Sequence, residues 1–209
     1  IDGKKQGVYR EYSRTGEITA SKMFSNDEVS GEGIVDENML MQGKWKMYYP
    51  GGKIKSEGEY KDGKRTGKWL FYYLNGTLEQ EGSYNKGKPD GSWIWYHVNT
   101  KTLREEYYIS GREDGEMKEY DASGKTVATG QYADGLKTGK WEFKSDSYRY
   151  EGGYTDDVQT GTWKGYFDNG KKAFEGDYLN GLENGEHRYY YDSGKLREIR
   201  NYKLGLPDG

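Results

Sequence analysis

The chain has 209 residues, with 32 basic and 35 acidic side chains, and its net charge of −3 gives no basic footprint for nucleic acid. The absence of cysteine excludes a disulfide framework and a cysteine-based zinc site. Glycine and aromatic residues are abundant, with 32 Gly, 22 Tyr and 6 Trp, a composition typical of short strands joined by tight turns. The sequence also lacks an apolar run long enough to predict a membrane-spanning helix.

Paired glycines, four residues apart, divide the chain into repeats of about 24 residues. Asp157 and Met39 take the place of the first glycine in two further repeats. A repeat of this length cannot bury an apolar face alone, so neighbouring repeats are expected to stack. The glycine pairs are Gly3/Gly7, Gly63/Gly67, Gly87/Gly91, Gly111/Gly115, Gly135/Gly139, Gly181/Gly185 and Gly205/Gly209.

One repeat, from Gly63 to Tyr84, shows the pattern in full. Residues 68–74 predict an outgoing strand, Asn75-Gly76 predicts a two-residue hairpin tip, and the chain returns to Tyr84. The paired glycines predict the tight turn that joins one hairpin to the next. Residues 25–38 depart from the period and predict a stunted hairpin without a full return strand. We therefore predict an all-β fold, an elongated and twisted antiparallel sheet of stacked hairpins.

The predicted domain organisation is a single array over residues 1–209, with about eight full hairpins and the stunted one. Each return strand closes on an aromatic residue, and most outgoing strands open with tryptophan. Tyr9, Met117 and His187 occupy the tryptophan position in the other repeats, so His187 is expected to be a packed or edge aromatic. The tryptophans of this position are Trp45, Trp69, Trp93, Trp141 and Trp163, and the closing aromatics are Phe24, Tyr60, Tyr84, Tyr108, Tyr132, Tyr154, Tyr178 and Tyr202.

Strand alternation places a tyrosine ladder on the face opposite the tryptophans. Tyr12 fits its spacing in the first repeat, and Lys144 interrupts it. Tyrosine suits interfaces because its apolar ring has a polar tip, so this ladder is the candidate partner-binding site. An alternative is that the ladder only packs the sheet. The candidate residues are Tyr48, Tyr72, Tyr96, Tyr120, Tyr166 and Tyr190.

No residue pattern points to catalysis, a cofactor or a metal ion. Carboxylates recur at Glu57, Glu81, Glu105, Glu151 and Glu175, and paired carboxylates can hydrolyse glycosides. Catalytic pairs are usually unique in a chain, whereas a ladder repeated in each unit predicts cross-strand pairing with Lys or Arg. The two histidines, His97 and His187, lie several repeats apart and do not predict a triad or a metal site. We therefore expect a protein that is not an enzyme.

These motifs resemble the bacterial variant of the MORN repeat. The resemblance rests on the glycine pair, the tryptophan, the aromatic pair, the Asn-Gly tip, the Glu-Gly step and the closing tyrosine, all present at Gly63–Tyr84. It covers nearly the whole chain, with departures at Asp157, at Ile199-Arg200 and at residues 25–38. The resemblance implies an extended antiparallel sheet, and an antitoxin of a toxin–antitoxin pair, an exported protein or a protein scaffold.

The leading hypothesis is a non-catalytic scaffold for protein–protein interaction, antitoxin-like or envelope-associated, with the tyrosine ladder as anchor. The alternative is a carbohydrate or cell-wall binding module that stacks tyrosine rings on sugars. Membrane contact is disfavoured by the acidic balance, and nucleic acid is not an expected partner. Open sheet edges favour an end-to-end homodimer. No signal peptide is visible, but the chain opens within a repeat, so we lean towards an exported protein whose leader has been removed, with a cytoplasmic protein as the alternative.

Overall fold

The structure, a computed structural model, describes residues 3–208 and shows a fold built from β-strands. Ile1, Asp2 and Gly209 lie outside the described residues, and with them the two ends of the predicted array and the second glycine of its last pair. The strands are β1 (Gly7–Tyr12), β2 (Ile18–Ser25), β3 (Glu28–Val35), β4 (Met41–Tyr48), β5 (Ile54–Lys61), β6 (Lys64–Tyr72), β7 (Leu78–Asn85), β8 (Lys88–Pro89), β9 (Gly91–Tyr96), β10 (Thr102–Ile109), β11 (Arg112–Glu113), β12 (Gly115–Tyr120), β13 (Thr126–Ala133), β14 (Leu136–Lys144), β15 (Tyr148–Thr155), β16 (Val158–Phe167), β17 (Lys172–Leu179), β18 (Leu182–Tyr190), β19 (Leu196–Lys203) and β20 (Leu206–Pro207).

The strands described form one antiparallel sheet, which confirms the predicted fold class of hairpin repeats. The two-residue strands β8 and β11 are the first parts of the outgoing strands that continue as β9 and β12. By internal contacts the chain divides into two compact units. Unit 1 runs to Leu103 and includes Tyr108–Gly111, and unit 2 contains Arg104–Tyr107 and the residues from Arg112 onward. Residues 3–208 contain no helix with the length and apolar character needed to cross a membrane.

Tight two-residue turns join successive hairpins, as the glycine pairs predict. Asp62 and Gly63 both adopt positive φ, at 51° and 72°, which is the requirement of a type I′ turn. Asp157, which replaces glycine in one repeat, has a φ of 66°. The Gly63 N–H donates to the Met41 carbonyl at 3.0 Å, and Gly87 donates to Arg65 in the same way at 2.9 Å. Each of these turns is therefore hydrogen-bonded to the beginning of the outgoing strand in the preceding hairpin.

The hairpin tips differ from the predicted two-residue form. At the tip after β6 the Tyr73 N–H donates to the Thr77 carbonyl at 2.9 Å, and the Gly76 N–H donates to the Tyr73 carbonyl at 2.8 Å. Gly76 has a φ of 89°, whereas Asn75 is not in the positive-φ region. The tip is thus a three-residue loop that ends in a left-handed glycine. The Asn75 side chain accepts the Thr77 N–H at 3.0 Å, so it stabilises the loop without adopting positive φ.

The core lies on the tryptophan face, where each indole covers a glycine of the preceding return strand. A Cβ added to Gly58 would come within 2.4 Å of the Trp69 ring, so only glycine fits beneath it. Trp69 is fully buried between Tyr60 and Tyr84, whose rings it meets edge to face at 5.0 and 6.1 Å. Its Nε1 donates to the Glu59 carbonyl at 3.1 Å. The glycine of the Glu-Gly step therefore leaves room for the tryptophan ring of the following hairpin, which packs directly on it.

His187 takes the place of tryptophan in this arrangement, which confirms its prediction as a packed aromatic. It is 1% exposed and its ring covers Gly176. Its Nε2 lies 2.8 Å from the Asp177 carbonyl, in the position of the indole N–H. Because a carbonyl can only accept, this nitrogen carries the hydrogen.

The segment predicted to be stunted contributes one full strand, β3, which pairs with both β2 and β4. A single additional strand reverses the direction of the repeat, because neighbouring strands are antiparallel. Gly33 of β3 lies beneath Trp45, and so it acts as the return-strand glycine. On the other side, Tyr9 pairs with Lys22, which pairs with Glu32.

The first hairpin consequently presents its faces the opposite way round. Tyr9 is 56% exposed and lies on the face opposite Trp45, so its spacing in the sequence does not place it in the row of tryptophans. Arg10 lies on the tryptophan face instead, where its Nε donates to the Val35 carbonyl at 2.9 Å. Tyr12, which fits the ladder spacing in sequence, is 59% exposed and belongs to this inverted hairpin.

Candidate interaction surface

The tyrosine ladder is built from tyrosine–glutamate pairs that link neighbouring hairpins. The Tyr72 hydroxyl donates to Glu57 at 2.7 Å, and the glutamate lies 15 residues earlier in the chain. The same bond, with the same separation, joins Tyr96 to Glu81 at 2.6 Å, Tyr120 to Glu105 at 3.0 Å and Tyr166 to Glu151 at 3.3 Å. Tyr48 donates to Glu32. Each tyrosine begins on an outgoing strand and reaches the return strand of the preceding hairpin.

Where a ladder pair shifts a pKa, the shift favours a neutral phenol and a charged carboxylate. Burial, followed by the hydrogen bond to Glu57, raises the pKa of Tyr72 to about 12. Burial and Glu32 raise the pKa of Tyr48 to about 12 in the same way. The pKa of Glu81 is lowered from its ordinary value by hydrogen bonds from Lys68 and then Tyr96. The ladder therefore combines half-buried rings with ionised carboxylates.

Lysines on the outgoing strands form ion pairs with some of the ladder glutamates. Lys68 lies 2.6 Å from Glu81, Lys140 lies 2.9 Å from Glu151, and Lys164 lies 3.6 Å from Glu175. The predicted cross-strand pairing of the carboxylates with basic residues is confirmed for these three glutamates. The lysine side chains are between 40% and 69% exposed, so solvent screens the pairs and each contributes little to stability. Their charges instead give the face an ordered pattern of both signs.

Two positions of the ladder lack the tyrosine–glutamate bond. At Tyr190 the expected acceptor, Glu175, is bound by Lys172, whose ammonium lies 5.8 Å from the Tyr190 ring centroid. At Lys144 the tyrosine is missing, and Thr129 stands where the glutamate would be. Lys144 binds Glu142 at 2.6 Å instead. Both members of the pair are therefore replaced together in this repeat.

In unit 1 the face carries a groove of about 600 Å³. Three lysines and two ladder glutamates line it, together with the apolar side chain of Leu70. The candidate tyrosines of unit 1 lie along the same face, and their rings are half-buried. Sequence reasoning missed Glu32 and the lysines as parts of the surface, although the Glu32-Gly33 step repeats the Glu-Gly signal. The lining residues used below are Glu32, Lys44, Lys46, Glu57, Lys68 and Leu70.

Family comparison agrees with this geometry. The MORN repeat variant matches five segments of 22 residues each, 110 of the 209 residues in all: 41–62, 65–86, 113–134, 159–180 and 183–204. The chain belongs to the MORN repeat variant family. The unmatched stretches 1–40, 87–112 and 135–158 hold the inverted hairpin, the strand with Glu106 and the shortened tip near Asp146. The MORN match includes the regular hairpin of β6 and β7 and also the hairpins in which Met117 and His187 replace tryptophan.

Two further comparisons add little to the MORN assignment. Among solved structures, the chain is similar to one described as "Crystal structure of GtfA/B complex bound to UDP and GlcNAc", with 13% identity and a TM-score of 0.24. The likeness covers 50% of this chain and 20% of that chain, and it carries no argument about function. No curated protein matches the sequence.

Proposed function

We propose that this MORN repeat protein is a non-catalytic scaffold that binds a protein partner through the tyrosine–glutamate face. The observation that carries the proposal is the repeated bond of a ladder tyrosine to a glutamate 15 residues earlier, with lysines beside it. The bonds fix the rings and carboxylates before any partner arrives. A surface that is already ordered loses less side-chain entropy on binding.

The chemistry of the face favours a protein over other partners. The groove of unit 1 alternates Lys44, Lys46 and Lys68 with Glu32 and Glu57, so neither charge dominates it. Mixed charges select a partner by complementarity and suppress wrong partners through like-charge contacts. Tyrosine is enriched at protein interfaces, where its ring is buried and its hydroxyl bonds at the rim. The five indoles of the tryptophan position, in contrast, are buried and offer no ring face for stacking.

Membership of the MORN repeat variant family supports a finer version of the proposal. The partner would be a toxin that the protein neutralises, or a component of an envelope assembly. In either case the scaffold acts by covering a surface of its partner, and no group on the ladder face has to react chemically.

The test begins by capturing a partner with the intact chain and reconstituting the complex from the two purified proteins. The double variant Lys46→Glu and Lys68→Glu is expected to weaken binding at least about tenfold, because it reverses two charges of the groove. Lys53→Glu, on the exposed tip after β4, is the matched control and should bind as the wild type does.

Equal binding by all three proteins would remove the ladder face from the proposal. A glycan array offers the opposing outcome. Specific binding of a polysaccharide, lost in Tyr72→Ala and Tyr96→Ala, would replace the protein scaffold with a carbohydrate module.

A further inference from the structure

Three departures from the repeat meet at one cavity of about 450 Å³ within unit 2. Met117 takes the place of tryptophan, Lys144 takes the place of a ladder tyrosine, and Ser145 begins the shortened tip. All three line the cavity, together with Arg104, Lys137 and the aromatic wall of Tyr132, Trp141, Phe143 and Tyr150. The regular repeat would place larger or different side chains at each of these points.

The space arises from the sizes of the substituted side chains. Met117 is smaller than tryptophan, and Ala128 is the small residue opposite Phe143. In the glycine position beneath Met117 the chain has Glu106, which is 6% exposed and forms an ion pair with Arg104. A tryptophan could not occupy the position of Met117 while a glutamate occupies the seat beneath it. The cavity is therefore encoded by a coordinated pair of substitutions.

Basic groups stand over the aromatic wall. The Lys137 ammonium lies 4.9 Å from the Trp141 ring centroid, 5.3 Å from Tyr154 and 5.8 Å from Phe143. In residues 3–208 no carboxylate lies within ion-pair distance of this ammonium. Arg104 also lines the cavity, and its Nε is a buried donor without an acceptor in the part of the chain that the structure describes. Glu119 is the one acidic lining residue, opposite Arg104 in the strand register.

We infer that this cavity binds a small aromatic carboxylate, with the ring against the accessible rings of Phe143 and Tyr150 and the carboxylate on Lys137. The volume lies within the range of about 300–1,000 Å³ that is typical of small-molecule pockets. An anion gains from the unpaired ammonium, while an apolar ring gains from the wall. The aromatic wall and Lys137 lie on the tryptophan face, opposite the tyrosine ladder of the proposed protein-binding face.

Titration calorimetry of the full chain with 4-phenylbenzoate tests the inference, with 4-phenylbenzamide as the neutral analogue. The carboxylate is expected to bind at least about tenfold more tightly than the amide, because only it can form a charge-assisted bond to Lys137. Lys137→Gln should remove that preference. Arg65→Gln is the matched control, since Arg65 stands over Trp69, Phe71 and Tyr84 in unit 1 as Lys137 does in unit 2.

A second variant restores the glycine and the tryptophan that the regular repeat has at positions 106 and 117. Glu106→Gly with Met117→Trp should fill the cavity and abolish binding, while the unfolding midpoint stays the same or rises. Equal affinity for the acid and the amide, or undiminished binding by Lys137→Gln, would overturn the inference. Retained binding by the repaired variant, if it folds, would overturn it as well.

Discussion

The hairpin of β6 and β7 and the hairpin of β12 and β13 use one backbone pattern but fill it differently. In the first, Trp69 covers Gly58 and is fully buried between two tyrosines. In the second, Met117 stands in the tryptophan position, and Glu106 occupies the seat beneath it. The aromatic residue and the glycine change together, although 11 residues separate them. The comparison shows that the residue in the tryptophan position and the residue beneath it, which belong to two successive hairpins, constrain each other.

On the face of the tyrosine ladder, too, two residues from neighbouring hairpins change together. Tyr72 and Glu57 are bonded across the boundary between hairpins, whereas Lys144 and Thr129 replace both members of the pair. A hairpin of this fold is therefore specified by its neighbour as much as by its own sequence. This is the one-dimensional coupling expected of a repeat array, in which each repeat is stabilised by its nearest neighbours.

The largest expected effect comes from truncating the aromatic member of the regular pair. Trp69→Ala should lower the free energy of unfolding by about 3–5 kcal/mol, because it removes a fully buried ring from a close-packed site. Met117→Ala should cost about 2 kcal/mol, since this side chain is smaller and borders a cavity. Urea unfolding followed by circular dichroism measures both. Equal losses at the two positions would contradict the distinction between the two hairpins.

Much of this comparison could be predicted from the sequence, because the repeat supplies many copies of each signal. The turns at Asp62-Gly63, the buried row of Trp69 and His187 and the separation of the two faces follow from glycine spacing and strand alternation. The Glu-Gly step is also visible in sequence. Its role as the seat for a ring is not, because the contact joins positions in different hairpins.

The predictions for the hairpin tip and for Tyr9 were wrong for the same reason, because both used only the sequence close to the residue. Asn75-Gly76 permits a two-residue turn, but the observed hydrogen bonds close a three-residue loop. Tyr9 matches the tryptophan spacing, but the single strand β3 inverts the register of everything before it. Alternation fixes which side chains share a face within one strand. It cannot fix which face that is once a single strand, rather than a whole hairpin, has been inserted.

A double-mutant cycle sharpens the pairing rule, with a smaller expected effect. Gly82→Ala should cost about 1–3 kcal/mol, because the added Cβ would lie 2.1 Å from the Trp93 ring. In a Trp93→Met background the same change should cost less than about 1 kcal/mol, since the shorter side chain can move aside. Chemical denaturation of the four proteins gives the coupling energy.

Gly76→Ala is the control for this cycle. Its φ of 89° makes alanine strained there, but nothing lies within 4 Å of the added Cβ. Its cost should therefore be the same with Trp93 and with methionine at that position. Additive costs for Gly82→Ala would show that the glycine is required for its backbone alone.

The smallest expected effect concerns the ladder, where Tyr72 is bonded to Glu57 and the acceptor expected for Tyr190, Glu175, is bound by Lys172. Tyr72→Phe should cost about 1 kcal/mol, because it leaves the Glu57 carboxylate without its 2.7 Å donor. Tyr190→Phe should cost less than about 0.5 kcal/mol, because Glu175 is already held by Lys172. Thermal unfolding at neutral pH compares the two variants.

Alkaline pH gives a second test of Tyr72, because its hydroxyl can lose a proton in the wild type but is absent from Tyr72→Phe. The pKa of Tyr72 is raised from 10.0 to about 12 in the folded chain, so folding favours its neutral form. A raised pKa stabilises the fold fully below the unfolded value of 10.0, and this contribution is lost as the pH rises towards 12. The wild type should therefore lose more stability between pH 9 and 12 than Tyr72→Phe, which cannot titrate there. Equal losses in the two proteins would show that folding does not raise the pKa of Tyr72, against the combined effect of its burial and its bond to Glu57.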